Sequence, residues 1–186
     1  MSTDNSPVYA PSAHYVIFRE GIDKIISRLG NADEFHLSLY YASMVSMMEK
    51  YLYDIFIAEV EGNENAFWRM CKMNKFQDMK FSISQALKGN VKIYAINSVK
   101  SMVWHRLNDV ELFFKTVFDF KFNISSRLVK IVAVRHDIVH RNGFSLVGEV
   151  IHIDAELVSS SINVLDDFIR DIDKKHYAYK ARVDAS

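Results

Sequence analysis

The segment Arg135-His136-Asp137-Ile138-Val139-His140-Arg141-Asn142-Gly143 holds more proton-transferring and anion-holding groups than any other stretch of the chain. Its two histidines can exchange protons near neutral pH, its two arginines can hold an anion, and Asp137 and Asn142 can orient either kind of group. Arg135 is the sharpest of these. It stands three residues after Val132 and four before Val139, so it faces the same way as both, inside a stripe made by Leu128, Ile131, Val132, Ile138 and Val139. A guanidinium buried there without partners is costly, so something must compensate it. One source is a carboxylate, with Glu49 and Asp54 as the candidates inside an apolar central helix. The other is a bound anion such as a phosphate, whose developing charge the arginine would stabilise.

His140 follows Arg135 by five residues, which places the two about 140° apart on an ideal helix. They converge only if the helix ends near His140 and Gly143 lets the chain change direction. A cationic imidazole suits the negative end of a helix dipole, and Asp137, three positions earlier, can orient the ring; the plainer role is to cap the last carbonyls. His136 and His140 also have the i, i+4 spacing of helical metal ligands. However, no glutamate follows the first histidine and no third ligand is signalled, so no metal is expected and a metal-dependent hydrolase is the weakest reading. The glycines stand singly at element ends, without a phosphate-cradling loop, and no cofactor is expected.

The elements that must position these groups read as helices. Phe18, Ile22, Ile25, Ile26 and Leu29 predict a first helix from Pro11, with Gly30-Asn31 as a left-handed stop. Asp33 can cap a second helix from Glu34 to Glu61, apolar on so much of its circumference that it should lie centrally in a bundle. Two short helices are expected between Asn63 and Asn90, before Gly89. Two more are expected over 91–106 and 109–120, the latter behind an Asn108 or Asp109 cap. The chemistry-bearing helix spans about Asn123 to His140. An alternating run from Phe144 to Ile153 around Gly148 suggests a short β-hairpin, and Asp154 can cap a last helix on Val158, Ile162, Leu165, Ile169 and Ile172. The expectation is an all-α bundle of four to five main helices with that hairpin after the motif helix. One domain covers 11–176, between flexible tails at 1–10 and 177–186.

Composition bounds the partners. The 186 residues are 49% hydrophobic with two prolines and six glycines, which suits a compact helical body. Lysine plus arginine equals aspartate plus glutamate at 23 each, so no global field draws the chain to nucleic acid or an acidic membrane, and any RNA contact needs a local patch. The single cysteine, Cys71, excludes an intramolecular disulfide. The first residues lack the basic start and apolar run of a secretory signal, and the apolar stretches are broken by charges, so a soluble, cytoplasmic protein without membrane contact is expected.

The Arg135–Gly143 segment resembles the signature of the HEPN superfamily, helical domains whose motif is arginine, four to six residues usually beginning with a polar one, then histidine. Met48-Glu49-Lys50-Tyr51-Leu52-Tyr53-Asp54-Ile55-Phe56 resembles that family's central helix with its embedded glutamate, and Asp109-Val110-Glu111-Leu112-Phe113-Phe114-Lys115 the helix before the motif helix. The resemblance spans about Phe35 to Ile172. It matches Arg135 to the motif arginine, His140 to the motif histidine and His136 to the polar position; no subfamily is assigned. It implies a homodimer with a composite active site and a metal-independent endoribonuclease of defence, toxin or RNA-processing systems, with an antitoxin or regulatory protein as a further partner. A tyrosine modified in some toxin members corresponds here to Asn142, which puts that form of regulation in doubt. The chemistry agrees with the residues: a ribose 2'-hydroxyl attacks its neighbouring phosphate, His140 transfers protons, and Arg135 holds the non-bridging oxygens. Arg141 and Asn142 could contact the RNA backbone, with Lys100, His105 and Arg106 as vaguer candidates for a basic rim. Because the superfamily includes inactive members, a non-catalytic dimerisation or interaction domain is the second reading.

Overall fold

The structure, a computed structural model, describes residues 8–87 and 91–184. The fold is all-α: 75% of the described residues are helical, and among them no strand forms and no helix is long and apolar enough to cross a membrane. The chain divides into two compact units, one made of the chain up to Tyr51 and from Phe122 onward, the other of Leu52–Lys121.

In the first unit α1 (Ala13–Ile26) starts at Ser12, whose hydroxyl accepts the Tyr15 amide, and buries Tyr15, Phe18, Ile22 and Ile25 on one stripe. The long α2 (Glu34–Gly62) starts at Asp33, whose carboxylate accepts the His36 amide at 2.9 Å. Within this unit it buries Leu37, Tyr41, Met44, Val45, Met48 and Tyr51, faces too many for a surface helix. Gly21 lets α1 approach α2 closely, since a Cβ there would lie 2.8 Å from the Met47 sulfur. α8 (Ser126–Arg141) is capped by Ser125 and α9 (Ala155–Asp184) by Asp154, and α9 packs on both α1 and α8. Val158, Ile162, Leu165, Ile169 and Ile172 form the buried α9 stripe that their spacing predicts.

The second unit takes the end of α2 with α3 (Glu64–Cys71), α4 (Asn74–Gln77), α5 (Ile83–Leu87), α6 (Val91–Lys100) and α7 (Leu107–Phe118). Its core is aromatic: Phe56 packs against Trp104, Phe113, Phe114 and Phe118 with ring centroids 5.5–5.9 Å apart. These separations are favourable for edge-to-face and tilted pairs.

Several boundaries differ from the sequence reading, each for a local reason. The first helix ends at Ile26 and is followed by a 3-10 turn at Leu29–Asn31; neither Gly30 nor Asn31 has a positive φ, so no left-handed stop forms there. The helix expected over 91–106 stops at Lys100, and α7 begins at Leu107 behind Arg106, which makes no side-chain cap bond, rather than behind Asn108 or Asp109. Leu107 and Val110 are both buried, and their packing carries the helix back past the polar pair. The hairpin reduces to one antiparallel bridge, Phe144 with Val150, around Gly148 at φ 83°. The C-terminal tail expected from Tyr177 is instead helical to Asp184, because Tyr179 is buried and the Tyr177 hydroxyl donates to the Val8 carbonyl. At the N-terminus, Tyr9 is tied to α9 through Asp173, while the expected stop at Gly89 and the tail residues 1–7 lie outside the described residues.

Candidate functional site

The last two turns of α8 carry the chemistry-bearing residues, and burial falls along them. Leu128 and Ile131 are buried, but Ile138 is half-buried and Val139 exposed. Arg135 lies one turn beyond Ile131, on the inward side that its place in the stripe predicts. Its side chain is 13% exposed, Nη2 lies 3.5 Å from Oε1 of Glu49, and Nε is fully buried with no hydrogen-bond partner among the described residues. Of the two carboxylates proposed as partners, Glu49 is therefore the one on which Arg135 sits; Asp54 belongs to the second unit. At 3.5 Å this is a loose pair, and a guanidinium has five donors, so Arg135 has donors left for another anion.

The imidazoles of His136 and His140 stand 4.6 Å apart between ring centroids, their planes inclined by 46°. His136 is half-buried and His140 exposed. With two ligands this pair is short of a metal centre, and among the described residues no group of three or more histidine, cysteine, aspartate or glutamate side chains could hold a metal ion. Asp137 does not orient His140, as spacing suggested. It pairs with Arg141, one turn on, leaving the His140 ring to its neighbour His136. The helix ends as foreseen next to Gly143, but with two left-handed residues rather than one: Asn142 at φ 53° and Gly143 at φ 83°, whose amides both donate to the Asp137 carbonyl. The backbone of Asn142 thus forms the cap, while its side chain stays exposed.

No hydrogen bond joins Arg135 to His140 among the described residues of one chain. The helical angle of about 140° that separates them is not closed by the terminal turn. Of the vaguer basic candidates, Lys100 pairs with Glu61 at 2.7 Å in the second unit.

Comparison with family models, with curated proteins and with solved structures returned no match.

A second polar cluster escaped the sequence reading. Asp173, 1% exposed, accepts hydrogen bonds from the hydroxyls of Tyr9 (2.6 Å), Tyr51 (2.8 Å) and Ser12, and from the Ser12 amide (3.0 Å). Two turns earlier on α9, the buried Asp166 accepts from Tyr15 at 2.9 Å and pairs with Arg19 and Arg170. Burial, and then the Asp173 carboxylate, raise the Tyr9 and Tyr51 phenols well above the usual range for tyrosine. The signal was present: Asp166 and Asp173 are seven residues apart, flanking Ile169 and Ile172 in the buried stripe. What the sequence could not supply was the set of donors on α1 and α2. With every oxygen of Asp173 engaged by donors of the same unit, this cluster acts as a clamp joining α1, α2 and α9.

Proposed function

We propose that this chain is a metal-independent endoribonuclease of HEPN type that works as a homodimer. The observation that carries the reading is Arg135, a largely buried guanidinium with an unpartnered Nε and a loose carboxylate partner, on the helix that ends in the His136–His140 pair. A positive charge held this way favours a phosphate whose charge grows in the transition state. The exposed His140 supplies proton transfer to or from the 2'-hydroxyl and the leaving oxygen. Because Arg135 and His140 point different ways in one chain, the reading needs a second copy to bring a histidine opposite an arginine, which a twofold axis does without further residues. Exposed apolar side chains at this end, Val139, Phe144, Leu146, Val147 and Val150, suit such an interface. Arg141 and the Asn142 side chain would meet the RNA backbone, and a cytoplasmic defence or toxin role under an antitoxin or regulatory protein fits that chemistry.

The test is cleavage of RNA by purified protein in the presence of EDTA, with a 2',3'-cyclic phosphate as product and no activity in His140→Ala. Equal cleavage by the variant would sink the assignment. The second reading is a non-catalytic dimerisation domain, favoured by the same exposed apolar side chains; a stable dimer without cleavage would select it.

A further inference from the structure

We propose that a cavity of the second unit, lined by the α3–α4 junction, the segment after α6 and one side of α7, receives an acidic amphipathic segment of a partner protein. Its carboxylates would meet Lys72, Lys75 and Arg106, and its apolar side chains would cover the aliphatic wall. The balanced charge of the whole chain hides an uneven distribution. From Arg69 to Arg106 the sequence has eight lysines and arginines and one acidic residue, Asp78. The remainder is therefore acidic, and the basic stretch supplies most of the lining of this cavity. The cavity measures about 640 Å³, inside the roughly 300–1,000 Å³ typical of ligand sites.

The aliphatic wall is open to solvent: Met73 and Met102 are half-buried, and Val103 and Leu112 are 41% and 56% exposed. Methionine side chains re-pack easily, which suits a surface that accepts apolar side chains from outside. The cations of the lining lack counter-ions. Lys72 and Arg106 are exposed and form no ion pair among the described residues. The Lys75 ammonium stands 5.6 Å from the ring centre of Phe113, and the Ser98 carbonyl at 3.5 Å is too far for a firm bond. Desolvation holds that ammonium below its ordinary pKa, with no carboxylate to offset it. Among the described residues Asp109 is the one carboxylate in the lining, and it sits in the first turn of α7, where the helix dipole favours it. Three cations against one carboxylate leave a surplus of positive charge.

This mixture of groups selects the occupant. Single-stranded nucleic acid needs aromatic faces on which bases stack, and the ring in this lining, Phe113, is 5% exposed with the Lys75 ammonium over it. A duplex is held through its phosphates and would leave the aliphatic wall uncovered. An amphipathic peptide helix presents apolar anchors at i, i+3 and i+4 to such a groove and carries carboxylates at neighbouring positions. Charge complementarity then steers the encounter, while the aliphatic contacts hold the complex. The proposal stands apart from the nuclease reading, because the α8 histidines belong to the first unit.

Selection of a displayed library of random peptides on the full chain tests the surface, with peptides about 15 residues long so that a helix can form. Enriched peptides should combine glutamate or aspartate with leucine, isoleucine, phenylalanine or methionine at helical spacing. A labelled copy should bind saturably at one equivalent per chain by fluorescence anisotropy. The double variant Lys72→Glu with Arg106→Glu should weaken that binding by about tenfold or more. A copy of the peptide with glutamine for glutamate, which leaves the protein untouched, should lose affinity to a similar degree. Leu112→Ala should weaken binding by roughly fivefold to tenfold, the value of one partly buried leucine, and His140→Ala should leave it unchanged. Enrichment of no acidic amphipathic peptide, or wild-type affinity in both the double variant and Leu112→Ala, overturns the proposal. So does displacement of the peptide by a single-stranded RNA oligonucleotide at lower concentration than the peptide itself requires, which would assign the cations to nucleic acid. Displacement by decanoate on the same terms would assign the cavity to a small amphiphile and overturn it equally.

Discussion

Arg135 and Glu49 set the energetics of the site at the scale of single residues. Their side chains are 13% and 21% exposed, so the pair is neither fully screened nor fully buried. Glu49→Gln should therefore destabilise the fold by about 1–3 kcal/mol, less than the loss of a dry ion pair, and urea unfolding would measure it. Arg135→Lys keeps the charge but loses the planar fork and its several donors. If Arg135 holds phosphate through directed hydrogen bonds as proposed, the variant should lower RNA cleavage by about a hundredfold while shifting the urea midpoint little. A variant that unfolds and loses activity together would show only a structural arginine. The histidines divide differently. On the proposed reading His140, exposed in the last turn of α8, carries the proton, and His136, half-buried, holds its ring 4.6 Å from that of His140.

Helices α1, α2 and α9 are joined by Asp173, whose removal should be felt across the first unit. Asp173→Ala would leave the Tyr9, Tyr51 and Ser12 donors unmatched and should cost about 3–5 kcal/mol, seen as a fall of roughly 10 °C in the melting midpoint. The same cluster gives a pH dependence. Burial raises the Tyr9 and Tyr51 phenols above the ordinary tyrosine value of 10.0, so the unfolded chain loses these protons first. The stability they contribute is complete below pH 10.0 and is lost as pH rises above it, so alkaline titration should show these tyrosines ionising together with unfolding. Separate early ionisation would contradict the clamp. These elements also show what was legible in the sequence. Periodicity gave α2 nearly to the residue, from Asp33 to Gly62, and the buried α9 stripe, because caps and 3.6-residue spacing are local properties. It placed Arg135 inward for the same reason. It missed the donors that meet Asp173, the pairing of Asp137 with Arg141 and the helical C-terminus, since each depends on residues or packing that spacing along one helix does not encode.

For the whole molecule, the proposed activity requires a second copy of the chain. One protomer supplies a poised arginine and an exposed histidine that do not meet, and the apolar side chains around the end of α8 offer a surface on which two such ends could close. Sedimentation at micromolar concentration should show a dimer, and Val139→Glu should shift it to monomer with loss of RNA cleavage but an unchanged melting profile at low concentration. Mixing His140→Ala with Arg135→Ala chains should restore part of the activity if the cleft is composite, since one face of the mixed dimer would then keep both groups. The most direct measurement is the RNA cleavage assay itself, run in EDTA with His140→Ala in parallel. The expected result is cleavage by the wild-type protein, 2',3'-cyclic phosphate ends, and a fall of about 10²–10⁴-fold in the variant. Cleavage that is undiminished in His140→Ala, or that requires a metal ion, would contradict it.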